Sequence, residues 1–109
     1  MGRTLVSTLE EKKAEDILLL DIHEIASFAD YFIICTGTSD RMLDSLAEAV
    51  LEAAAKRYDL DGKLQGLAAS GWLVIDLGDI VVHLFSPDQR SYYRLEQLWE
   101  KGKIIVRLQ

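Results

Sequence analysis

Two apolar runs joined by a single Gly-Asp pair constrain this chain more than any other feature. Gly71-Trp-Leu-Val-Ile-Asp-Leu77 and Ile80-Val-Val-His-Leu-Phe85 flank Gly78-Asp79. Glycine at the first central position suits a two-residue type II′ hairpin, whose twist matches that of its strands. With Leu77 paired to Ile80, alternation sorts the side chains onto two faces. Leu73, Ile75, Leu77, Ile80, Val82 and Leu84 make one face, which is wholly aliphatic and belongs to a core. Trp72, Val74, Asp76, Val81, His83 and Phe85 make the other, which is too mixed to be core alone.

Other elements supply the layers such a hairpin needs. Leu5 to Ala14 reads as a short amphipathic helix, with Leu5 and Leu9 on one side and Glu10 to Lys13 elsewhere. Asp16–Ile22 and Tyr31–Thr36 are continuous apolar runs, as expected of strands buried on both faces. About eight residues part them, too few for a parallel crossover, so as neighbours they pair antiparallel. Thr38, Ser39 or Asp40 can cap a long helix whose stripe is Met42, Leu43, Leu46, Ala47, Val50, Leu51, Ala54 and Tyr58, stopped by Asp59–Gly62. Lys63–Ser70 carries too little periodicity to assign. The long helical connection lets the next strand, Gly71–Leu77, run parallel to the second. A last helix is expected from Pro87-Asp88 to Trp99, with Tyr92, Leu95, Leu98 and Trp99 on one face and Arg90 and Tyr93 on the other. Gly102 ends it, and Lys103–Arg107 adds a weak terminal strand. The sum is an α/β fold, a mixed sheet of about four or five strands with packed helices.

Length and charge bound the function. At 109 residues, positions 1–109 form a single domain. Eighteen acidic residues against twelve Lys plus Arg give a net charge of −6. Such a chain repels phosphate backbones, so little or no direct nucleic-acid binding is expected, and basic proteins are the better partners. The basic residues Lys101, Lys103 and Arg107 read as a solvated terminus. Cys35 is the sole cysteine, which excludes an internal disulfide and Cys-rich zinc sites and fits a reducing compartment. No apolar run spans a membrane, and Met1-Gly2-Arg3-Thr4 has neither signal-peptide nor transit-peptide character, so the expectation is a cytoplasmic protein.

Candidate chemistry is sparse. The strand–Gly37-Thr38-Ser39–helix turn can present amides to a phosphate, and it resembles the Gly-Ser turn of nucleotidyltransferases. Those enzymes add an Asp-x-Asp pair that binds two metals, and none follows here. Asp76 and Asp79 straddle a turn and need not converge. A capped helix start accounts for Gly37–Asp40 more simply. Cys35 lies in an apolar run, as an inert thiol would, and His23 and His83 lack the spacing of metal ligands. His83 is expected to close a local hydrogen bond or to lie in an interface. No catalytic residue, metal or cofactor is assigned. Trp72, Phe85, Arg90 and Tyr93 are of the types that dominate protein interfaces, and Trp72 with Tyr93 favours that reading.

Three ordered motifs, Asp30-Tyr-Phe-Ile-Ile-Cys-Thr-Gly-Thr-Ser-Asp-Arg41, Gly71-Trp-Leu-Val-Ile-Asp-Leu-Gly-Asp-Ile-Val-Val-His83 and Arg90-Ser-Tyr-Tyr-Arg-Leu-Glu-Gln-Leu-Trp99, resemble the ribosomal silencing factor family, RsfS or Iojap. The resemblance runs from about Leu5 to Trp99; Arg94 and the tail after Trp99 depart from the usual pattern. It implies a nucleotidyltransferase-like fold without nucleotidyl transfer. It also implies binding to the large ribosomal subunit through that subunit's fourteenth protein, which blocks joining of the small subunit when nutrients are short. The family's contact region then falls on Trp72, Leu77 and Tyr93 as apolar residues and on Asp76, Asp79 and Arg90 as charged ones. Alternation puts Leu77 on the core face, opposite Trp72; only its place at the hairpin tip, or a bulge, would expose it. A homodimer of the free protein is allowed. The alternatives are a nucleotidyltransferase-related enzyme with an atypical metal site and, third, a generic dimeric module.

Overall fold

A computed structural model describes residues 1–93 and 102–108. Helix α1 covers Gly2–Glu11, three residues earlier than its apolar spacing suggests, and buries Leu5, Val6 and Leu9. Lys13, at a φ of 70°, turns the chain into β1, Glu15–Asp21. Strand β2, Tyr31–Thr36, pairs antiparallel with β1, Leu19 opposite Ile33, as the short connection requires. Glu15 faces Thr36 but Leu18 faces Ile34, so β1 carries one extra residue, a bulge at Asp16–Ile17 where Asp16 takes a φ of 48°.

Helix α2, Asp40–Tyr58, is capped by Ser39, whose Oγ accepts the Met42 N–H at 3.1 Å. At its other end Asp59 adopts the left-handed conformation, and the Leu60 N–H reaches back to the Ala54 carbonyl. The chain then forms β3, Lys63–Leu67, a short 3-10 turn, β4, Trp72–Asp76, and β5, Ile80–Phe85. Helix α3 is described over Pro87–Tyr93, and β6 over Lys103–Leu108. The expected continuation of α3 through Arg94, Leu95, Leu98 and Trp99 lies outside the described residues, as does Lys101.

Among the described residues six strands form one mixed sheet in the order β3-β4-β5-β2-β1-β6. Of these pairings only β2 with β5 is parallel. This corrects the expected direction of Gly71–Leu77. The unassigned stretch Lys63–Ser70 contains a strand, and each hairpin reverses the chain, so β4 runs opposite to β2 and β5 runs with it. Periodicity missed β3 because all five of its residues are exposed at the sheet edge, with no buried side to impose alternation.

The hairpin forms as its sequence directs. Leu77 N–H donates to the Ile80 carbonyl at 2.9 Å, and Gly78 supplies the positive φ, 89°, of the two-residue link. Its two faces enter two cores. The aliphatic face packs with Ile17, Leu19, Ile33 and Cys35 under α1 and α2. The mixed face joins Leu18, Leu20, Phe32 and Ile34 in a smaller cluster, partly roofed by Ile22, Ala26 and Ala29 from the β1–β2 connection. Among the described residues no helix is long and apolar enough to cross a membrane.

Candidate functional site

The smaller cluster carries Phe32, Trp72 and Phe85 of the sheet, and at its edges Trp72 and Phe28 keep exposed surface. Trp72 begins β4 and is half-buried. Its indole packs on Phe85 at a centroid distance of 4.9 Å, and its Nε1–H donates to His83 Nδ1 at 3.2 Å. His83 meets the edge of Phe32 at 4.7 Å, and Phe32 meets Phe28 at 5.8 Å. The rings therefore run as a chain across the face, from Trp72 to an exposed Phe28 in the connection. Phe85, which the sequence reading grouped with interface residues, is fully buried. It sits on an inner strand with β4 on one side and β2 on the other.

Strand β3 widens this surface in a way the sequence reading missed. Leu67 is the cross-strand partner of Trp72, and Gln65 that of Val74, so both share the Trp72 face. Leu67 is 71% exposed. Gln65, Gly66, Ser70, Trp72, Val74 and Gln89 line a hollow of about 340 Å³ there, without a charged side chain among the described residues. Pairing with the strong β4 pattern is the one signal that could have located these residues. Phe28, in a connection without regular periodicity, offered none.

The acidic candidates lie at the other end of β4, about 13 Å from Trp72 at the usual rise per residue. Asp76 and Asp79 are both exposed. Asp76 Oδ1 accepts the Gly78 N–H at 2.8 Å, so that carboxylate steadies the turn. The Asp79 carbonyl accepts the N–H groups of Asp30 and Tyr31, which ties the hairpin tip to β2 and leaves the Asp79 side chain to solvent. Leu77 is 6% exposed and belongs to the larger core. Alternation, and not exposure at the tip, describes its side chain.

Arg90 is held against the sheet. Its Nη1 donates to the Asp16 carbonyl at 2.9 Å and to Thr36 Oγ1 at 3.1 Å. The guanidinium thereby pins α3 to the β1 bulge and to the end of β2, a structural task that the hot-spot reading did not foresee. Tyr92, expected on the same helix face as Leu95, Leu98 and Trp99, is largely exposed. The Tyr93 side chain lies outside the described residues.

The remaining chemical candidates are engaged or inert. Cys35 is fully buried, and burial pushes its thiol up to about 12, which favours the protonated form of an ordinary core thiol. At the Gly37 turn, Thr38 N–H and Oγ1 approach Met42 Sδ, and a Cβ at Gly37 would stand 2.9 Å from Leu43 Cδ2. Close helix packing and a Ser39 cap account for that turn. His23 hydrogen-bonds Asp21 at the surface, which raises the imidazole above its ordinary value and lowers the carboxyl. Among the described residues no three His, Cys, Asp or Glu side chains converge as a metal site.

The sequence model of the family described as "Ribosomal silencing factor during starvation" (RsfS) matches residues 1–108. The ribosomal silencing factor RsfS of Bacillus subtilis is 44% identical over 90 residues, covering 83% of this chain and 76% of the relative. "Mitochondrial assembly of ribosomal large subunit protein 1" of Mus musculus is 36% identical over 98 residues, 87% of this chain and 43% of that protein. A crystal structure from Chromobacterium violaceum superposes with a TM-score of 0.84 at 32% identity, over 95% of this chain and 88% of that one. With a family model matched over residues 1–108, a relative at 44% identity and a structural match at a TM-score of 0.84, the chain belongs to the ribosomal silencing factor (RsfS) family.

Proposed function

We propose that this protein represses translation without catalysis, by occupying the large ribosomal subunit at its fourteenth protein and sterically excluding the small subunit. Family membership supports a ribosome-associated regulator, and the name of the mouse relative points toward the large subunit. The observation that carries the finer reading is the half-open aromatic face around Trp72, flanked by exposed Leu67 and Phe28 and ending at the acidic hairpin tip. Aromatic side chains on an open face with a charged rim are the anatomy of a protein-binding patch.

In this reading Trp72 is the apolar anchor, and Asp76 and Asp79 form the acidic rim. Arg90 and Tyr93, at the start of the last helix, complete the contact region. Leu77 contributes from inside, by holding the tip that carries the two acids. A steric rather than chemical action is supported by how the candidate groups are used: Cys35 is buried, His83 holds an indole, and Asp76 holds a turn amide.

Acidic residues facing a basic ribosomal protein speed encounter more than they hold the complex. Association of purified large subunits with wild type and Asp79→Lys, each at low and high salt, tests the surface. The expected results are binding to large but not small subunits, an on-rate that falls with salt, and a mutant on-rate about threefold or more slower with a smaller change in dissociation. An on-rate indifferent to both salt and mutation would remove the acidic rim from the account. Failure to bind isolated large subunits would remove the account itself.

A further inference from the structure

We infer that His83 is a positioning residue for the Trp72 indole: as the neutral Nε2–H tautomer it accepts the indole N–H through Nδ1 and fixes how that ring is presented on the sheet face. The inference rests on the reading of Trp72 as the contact residue. An indole nitrogen can only donate, so at 3.2 Å Nδ1 must be the acceptor. The single proton of the neutral imidazole then belongs to Nε2. That atom is buried and has no hydrogen-bond partner among the described residues.

A buried donor without a partner is costly, and position 83 gives little reason for it on packing grounds. His83 lies across from Ile34 on one side and Val74 on the other, in a cluster where an aliphatic or phenyl side chain would suit better. What a hydrocarbon cannot supply is the acceptor. The imidazole is itself immobilised, edge-on to Phe32 and nearly parallel to Phe85, with an interplanar angle of 10°. Ring contact with Phe85 has no preferred in-plane direction, whereas a hydrogen bond does. One directional bond to a clamped ring sets which edge turns inward. Since the indole N–H is already used, a partner seated on Trp72 meets it through apolar contact.

Three variants test this in the intact protein: His83→Phe, which keeps a ring and removes the acceptor; His83→Asn, whose Oδ1 falls near the place of Nδ1; and Trp72→Ala. Large-subunit affinity and thermal unfolding are measured for each. The indole N–H resonance of Trp72, identified by its disappearance in Trp72→Phe, is followed in the His83 variants. His83→Phe is expected to melt no lower than a few degrees below wild type, to show a shifted and faster-exchanging indole N–H, and to bind about threefold to tenfold more weakly, the usual cost of immobilising a freed side chain. His83→Asn is expected to recover part of that affinity while melting lower than His83→Phe. A His83→Phe protein that fails to fold, or that folds and binds as wild type while Trp72→Ala loses affinity, overturns the positioning role alone. Wild-type binding by Trp72→Ala overturns the contact reading, and this inference with it.

Discussion

Replacing Trp72 with glutamate is expected to leave a folded protein that no longer binds the large subunit. The prediction follows from an indole that packs on Phe85 yet stays only half-buried. Trp72 covers Phe85 and belongs to the margin of the smaller cluster, while the larger core is complete without it. A fully buried tryptophan would lose roughly 3–5 kcal/mol of folding stability on truncation. A half-buried one at the margin is expected to lose about 1–2 kcal/mol, and a glutamate there can keep its charge in water. An interfacial anchor, by contrast, contributes about 2 kcal/mol or more to binding, some thirtyfold in affinity, and a carboxylate pressed into an apolar contact costs more still. Unfolding and binding must be read on the same preparation. A folded mutant that has lost binding is the expected outcome. A mutant that does not fold, or one that binds normally, would show that Trp72 serves the core or nothing at this surface.

Acidification is expected to destabilise the fold through His83, between about pH 6.5 and 4. Burial is the cause: it pushes the folded-state value down to about 4 from the ordinary 6.5, with no charged group contributing. Below 6.5 the unfolded chain takes up a proton that the native imidazole refuses, so stability falls as pH drops and levels off near 4. The full loss is about 3 kcal/mol. His23 acts in the opposite sense: hydrogen-bonded to Asp21 and raised, it favours the fold below its ordinary value and ceases to do so as pH rises through the raised one. It is exposed, so solvent screens that effect. Denaturant unfolding of wild type and His83→Phe at several pH values isolates the buried group. The two stability curves are expected to diverge steadily below pH 6.5; parallel curves would contradict the protonation argument.

The elements that could be read in the sequence are those with a buried side. The Gly78-Asp79 hairpin, the antiparallel β1–β2 pair and the long helix α2 all follow from patterns that burial imposes, and the structure contains each of them, with Ser39 chosen as the cap among Thr38, Ser39 and Asp40. Strand β3 could not be read because an exposed edge strand leaves no periodic trace; its omission also misdirected β4. At the site, alternation placed Trp72, Asp76 and His83 on one face and Leu77 on the other. It could not reveal that Arg90 reaches the Asp16 carbonyl and Thr36, since that contact joins residues 74 and 54 positions apart. Leu67 entered the surface only through pairing with Trp72. Short-range pattern locates the strands, and long-range pairing decides which side chains share the surface.

Steric silencing makes a claim about number that catalysis does not. If the protein acts only by standing where the small subunit must dock, each large subunit is blocked by one bound molecule and released when it leaves. The direct measurement titrates purified protein into large subunits, records bound protein per subunit, and then adds small subunits and scores joining on the same samples. The account predicts that joining falls in proportion to occupancy, reaches its floor near one molecule per large subunit, and needs no nucleotide or metal. Loss of joining at a small fraction of that ratio, or only when nucleotide is supplied, would contradict it.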